Sequence, residues 1–129
     1  MAGYTVDIEK KTLANNYFRK VLFTGKHTQL VVMCLRPGEE IGNEVHAKVD
    51  QFFRVEQGRA LFILKGKKIV AKNGDAVIVP AGTTHNVIND AKTVKLKLYT
   101  LYSPPNHPDG TVHKTKIAAE LAEAKKHHR

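Results

Sequence analysis

Between Tyr17 and Tyr102 the chain alternates short apolar-rich runs with turn residues, and no run is long or periodic enough for a helix. YFRKVLFT (17–24) is followed by TQLVVMCL (28–35), then EVHA (44–47) and QFFRVEQ (51–57). ALFILK (60–65) and KIVAK (68–72) join through Gly66 as a tight hairpin. AVIVPA (76–81), HNVIND (85–90) and VKLKLYTLY (94–102) complete the series. Strands of this length, punctuated by Gly, Pro and Asn with no helix between them, predict an all-β antiparallel sandwich or barrel. In the last strand Val94, Leu96, Leu98 and Thr100 share one face, with Lys95 and Lys97 on the other. The pattern breaks at SPPNHPDGTVHKTK, where Pro104, Pro105 and Pro108 forbid a regular strand. KTKIAAELAEAKKHHR then predicts a C-terminal helix with Thr115 as N-cap and Ile117, Leu121 and Ala124 on one stripe. Ahead of the strands, DIEKKTLA (7–14) is a short helix or an irregular lead-in.

At 129 residues these elements make one domain, with a barrel core over 17–102 and a C-terminal loop and helix over 103–129. The apolar runs are too short to cross a bilayer, and MAGYTVDIEKK has no apolar signal core. Cys34 is the only cysteine, so no internal disulfide forms, and a buried core thiol in a cytoplasmic protein is the expectation. The net charge of +9 raises nucleic acid as a partner. However, the excess sits at Lys65, Lys67, Lys68 and Lys72 around the hairpin and at KKHHR (125–129), away from aromatic stacking platforms. Solvated basic faces are the better reading, with neither nucleic acid nor membrane as partner. Attraction of an anionic substrate is the weaker alternative.

EVHAKVDQFF (44–53) carries more chemistry than a strand needs. Side chains at i and i+2 share a face, so Glu44 and His46 point together. If Gln51 joins them, Phe53 and Val55 also face inward, while Arg54 and Glu56 face water. If Asp50 joins them instead, Arg54 and Glu56 enter the core at high cost. Alternation selects Gln51 and leaves Asp50 as a turn residue or a supporting hydrogen-bond acceptor.

Two segments resemble the paired motifs of the cupin superfamily. In the first, Glu44-x-His46, four residues, Gln51, six residues and Gly58 fit the family frame of His-x-His, Glu and Gly. In the second, Gly74, Pro80, Gly82, His85 and Asn89 match the G-x5-P-x-G-x2-H-x3-N pattern residue by residue. The resemblance implies a jelly-roll β-barrel with one divalent metal near its mouth, held by Glu44, His46, Gln51 and His85. Zinc, iron, nickel and manganese are the candidate ions. The chain departs from the family at two ligands, carrying Glu for the first histidine and Gln for the usual glutamate.

The same ligand types occur in the zinc-dependent mannose-6-phosphate isomerases, also cupins. The resemblance therefore implies an isomerase-like enzyme acting on a polar small molecule such as a sugar or sugar phosphate. Glu44 would then be a ligand or the catalytic base. Two alternatives stand beside this reading: an iron- or nickel-dependent dioxygenase, and a non-catalytic small-molecule-binding module. His27 is expected at a surface turn, and His127 and His128 in solvent. His107 and His113 are expected in a surface loop, the alternative being a loop folded over the barrel mouth. Tyr99 and Tyr102 either line the cavity or pack at its rim. Finally, Phe52 must point away from the interior, and both faces of VVMCL (31–35) are apolar. The N-terminal segment, the C-terminal helix or a second subunit must cover such a sheet, and the expected assembly is a homodimer with Phe52 at or beside its interface.

Overall fold

The computed structural model describes residues 2–127, of 126 and 127 the backbone alone. The expectation for His127 and His128 therefore lies outside the described side chains. Among the described residues nine strands run in the order β1 Arg19–Thr24, β2 Gln29–Leu35, β3 Asp50–Gln57, β4 Arg59–Leu64, β5 Lys67–Lys72, β6 Ala76–Val79, β7 His85–Ile88, β8 Leu96–Ser103 and β9 Val112–His113. Helix α1 (Ile8–Ala14) precedes them and α2 (Lys116–His127) follows. The strands form a six-stranded sheet, β6-β3-β8-β2-β1-β9, facing a three-stranded sheet, β5-β4-β7. This is the expected jelly-roll barrel, antiparallel throughout.

Alternation decides which side chains fill it. Phe53 and Val55 of β3, Leu96 and Leu98 of β8, and Val31 and Met33 of β2 all point inward and are fully buried. Phe53 meets Phe62 of β4 edge to face, with ring centroids 5.0 Å apart, and this contact ties the two sheets together. The β4–β5 hairpin turns through Lys65 (φ 48°) and Gly66 (φ 78°), the pair of positive angles a two-residue turn requires. Gly58 (φ 87°) ends β3 where a Cβ would stand 2.9 Å from the Lys95 carbonyl oxygen, so backbone proximity as well as φ demands glycine.

Helix α1, capped by Asp7, crosses the outer face of the large sheet. It explains the doubly apolar β2: Val31, Met33 and Leu35 fill the barrel, while Val32 and Cys34 lie buried on the other face. On that outer face one assignment to solvent, Glu56, is overturned, and a lysine is buried as well. Lys97 is buried and its Nζ donates to the Leu13 carbonyl at 2.6 Å. Glu56 is buried as well, paired with Arg54 at 3.0 Å.

Other expectations fail locally. EVHA forms no regular strand; residues 38–44 run irregularly along β7, interrupted at Gly38 and Gly42, both at positive φ. Val94 lies exposed ahead of β8, because Asn89 donates to the carbonyls of Leu35 and Val94 and turns the chain there. The proline-rich segment does contain a short strand, β9, paired with Arg19 and Lys20. Thr115 caps α2 by accepting from the Ala118 N–H at 3.1 Å. The helix, however, buries Ala119 and leaves Ile117 69% and Leu121 64% exposed. Its inward side faces a cavity instead of the apolar core, so small and polar residues line it.

Candidate metal centre

Backbone pairing, more than strand alternation, brings the candidate ligands together. Glu44 and His85 exchange both N–H···O bonds at 2.8 Å, an isolated bridge that sets their side chains side by side. Two residues on, the His46 carbonyl accepts from the Gly82 N–H at 2.8 Å, which docks the Pro80–Gly82 turn beneath it. Asp50 points outward and accepts from the Ala81 N–H at 2.8 Å, so it supports that turn and stays off the site. Ligand atoms of Glu44, His46 and His85 all lie within 4.8 Å of one another. The Glu44 carboxylate is 3.9 Å from His46 Nε2.

Hydrogen bonding fixes which atoms face this point. His85 Nδ1 lies 3.0 Å from the Thr83 carbonyl oxygen, which can only accept, so Nδ1 carries the proton and Nε2 the lone pair. Gln51 Nε2 donates to Thr100 Oγ1 at 3.0 Å, leaving the amide oxygen for the interior. His46 Nε2, His85 Nε2 and Gln51 Oε1 are all buried without a hydrogen-bond partner. Such groups cost about 1–3 kcal/mol each when unpaired. A divalent cation bound between them would satisfy all three, with the Glu44 carboxylate supplying charge. Burial lowers the His46 pKa, opposed by Glu44 and reinforced by His85 and Arg19, so the imidazole stays in the neutral form that ligates. The residues therefore fit the ion: two imidazoles, one carboxylate and one amide oxygen, a set that suits first-row divalent metals.

Glu44 and His46 border a cavity of about 970 Å³. Its walls also include Arg19 of β1, the loop at 106–108, His113 of β9 and the inner side of α2. The C-terminal loop thus folds over the barrel mouth, and the surface-loop expectation for His107 and His113 is overturned. The reason is Gln29, fully buried, which accepts from the N–H groups of Asn106 and His107 and donates to the His107 carbonyl at 2.8 Å. His107 Nε2 meets the Tyr102 hydroxyl at 3.2 Å, and His113 Nδ1 accepts from Arg19 Nη1 at 3.3 Å. Tyr102 faces inward, edge-on to His46, and burial pushes its pKa up to about 12. Tyr99 is on the outer face beside Phe52. His27 is exposed, as are the hairpin lysines.

Arg19 and Gln29 escaped the sequence reading. A signal existed for Arg19, which is in phase with the inward Val21 and so occupies an interior position with a charge. Nothing near Gln29 in the chain announces the loop it holds.

Residues 31–102 match the family model described as Cupin domain. The chain is 50% identical over 127 residues to the protein YrkC of Bacillus subtilis, covering 93% of this chain and 67% of that protein. It is 44% identical over 112 residues to protein L612 of Acanthamoeba polyphaga mimivirus, covering 84% and 70%. The crystal structure of BH2720 from Bacillus halodurans, 42% identical, superposes with a TM-score of 0.89 over 93% of this chain and 95% of that one. Barrel, paired motifs and relatives agree: the chain belongs to the cupin family.

Proposed function

We propose that the chain is a metal-dependent enzyme, isomerase-like, acting on a polar small molecule bound in the cavity over Glu44, His46, Gln51 and His85. The observation that supports this reading is the convergence of two imidazoles, each with a buried, unpartnered Nε2, beside a carboxylate, with Gln51 Oε1 also buried and unpartnered. A bound divalent ion would polarise a carbonyl or hydroxyl oxygen of the ligand. The chain's own groups divide the remaining work. Gln51 and His85 are buried and held by Thr100 and Thr83, which suits fixed ligation. The Glu44 side chain is 33% exposed and borders the cavity, which suits a base that takes a proton from the ligand. The Tyr102 hydroxyl, protonated at neutral pH, shares a hydrogen bond with Nε2 of His107, which borders the cavity.

Two imidazoles with one carboxylate also match the ligand set of non-haem iron oxygenases, which keeps a dioxygenase as the second reading. Elemental analysis of protein purified without added metal separates the readings. Stoichiometric zinc or manganese supports the isomerase-like enzyme, iron or nickel supports the dioxygenase, and no metal under any loading leaves a small-molecule-binding module.

The lone, buried Cys34 suits a reducing compartment, and we place the protein in the cytoplasm; among the described residues no helix is long and apolar enough to cross a membrane. We also propose a homodimer through the part of the large sheet that α1 leaves uncovered, where Phe52 sits between Ile78 and Leu101 in cross-strand register. Light scattering at micromolar concentration tests it: a dimer that Phe52→Asp converts to monomer is expected, and a monomeric parent contradicts it.

A further inference from the structure

Arg19 is 6% exposed, yet no carboxylate lies within ion-pair distance of it among the described residues. Its partners are all neutral: Nη1 donates to His113, the guanidinium also interacts with the Tyr102 hydroxyl and lies 5.3 Å from the Phe18 ring centre, and Nε–H is buried with no partner. A guanidinium cannot shed its proton to escape this cost, as a buried lysine does. Burying an uncompensated charge costs several kcal/mol, so a fold that keeps one gains from it elsewhere. Arg19 borders the same cavity as Glu44 and His46. Of the carboxylates on the cavity's outer wall, Glu120 is engaged by Lys116 at 3.9 Å and Glu123 acts on His113, and neither forms an ion pair with Arg19.

We infer that Arg19 is the anion-binding residue of this cavity. It grips an oxyanion, a carboxylate or phosphate, on the small molecule whose other end meets the Glu44–His46–Gln51–His85 cluster. This deepens the enzyme reading above by giving its substrate a negative charge, and rests on that reading for the position of the other end. A guanidinium can reach two oxygens of one oxyanion with neighbouring N–H groups, a fork that a point charge does not match. A divalent ion beyond His46 would add positive charge to the same cavity, which favours an anion further.

The test uses chelator-treated protein, so its outcome is independent of whether a metal binds. Acetate, inorganic phosphate and neutral acetamide are titrated while the arginine Nε–H resonances are followed by NMR, with Arg19→Lys identifying the Arg19 signal. Acetate or phosphate is expected to shift that signal saturably and acetamide to leave it unmoved; whichever anion saturates at lower concentration assigns the oxyanion. Arg19→Lys keeps the charge but loses the fork, and its apparent Kd for that anion rises at least about tenfold. Arg19→Met removes the uncompensated charge, so without anion it melts at or above the parent temperature and binds neither anion. The inference is overturned if neither anion moves the Arg19 signal, or if Arg19→Lys binds as the parent does. It is equally overturned if Arg19→Met melts well below the parent, which would make Arg19 a structural prop.

Discussion

Strands β3 and β8 lie side by side along the barrel, and their inner faces change character within four residues. At one end Gln51 is paired with Tyr102; one step along, Phe53 is opposite Thr100; two steps along, Val55 is opposite Leu98. All six side chains are buried. The same backbone, pleat and burial thus hold an apolar plug at one end and a set of polar groups at the other. The plug follows from the hydrophobic effect and close packing. The polar end does not, because Gln51 Oε1, His46 Nε2 and His85 Nε2 are desolvated and unpaired. The plug holds the barrel shut, while the mouth carries a cost that a bound ion would relieve.

Breaking the plug should give the largest effect. Phe53→Ala leaves a void against Phe62 and should cost about 3–5 kcal/mol of stability; a loss under 1 kcal/mol in a denaturant melt would show that the plug is not the core. Breaking the mouth should spare the fold. His46→Ala and His85→Ala should each weaken metal binding by more than about 100-fold, beyond what losing an outer hydrogen-bond partner alone costs, while circular dichroism stays that of the parent. Stoichiometric metal in either variant would refute the site.

Gln51→Glu sharpens the comparison. It adds a charge at a position already aimed by Thr100, whose hydroxyl can rotate to donate. Metal affinity should rise at least about tenfold, a modest share of the Coulomb energy between close opposite charges in a partly buried site. Equal or weaker binding would remove Gln51 from the ligand set. An alkaline effect is expected at Tyr102. Burial raises its folded pKa to about 12, against about 10 in an unfolded chain. The unfolded state therefore releases this proton first, and the stability it provides is complete below pH of about 10 and lost between there and about 12. Tyr102→Phe should flatten that part of the pH–stability curve; an unchanged curve would assign the loss to another group.

The barrel was legible because alternation and turn residues act locally: QFFRVEQ places Gln51, Phe53 and Val55 inside, as the structure does. Glu44, His46, Gln51 and His85 were legible as a set through the paired motifs, although the path of 38–44 along β7 was not, since a ladder broken by glycines leaves no period of two. What escaped is non-local. Gln29 folds residues 106–108 over the mouth across a separation of 78 positions, and α1 buries Lys97 across 84. No window of sequence contains both partners of such a contact.

The most direct measurement of the central claim is anomalous diffraction from crystals of the metal-loaded protein, recorded at that metal's absorption edge. One peak is expected, within about 2.0–2.2 Å of His46 Nε2, His85 Nε2 and the carboxylate of Glu44, with the Gln51 amide oxygen as the fourth contact. A peak elsewhere, or none beside these residues in loaded crystals, would contradict it.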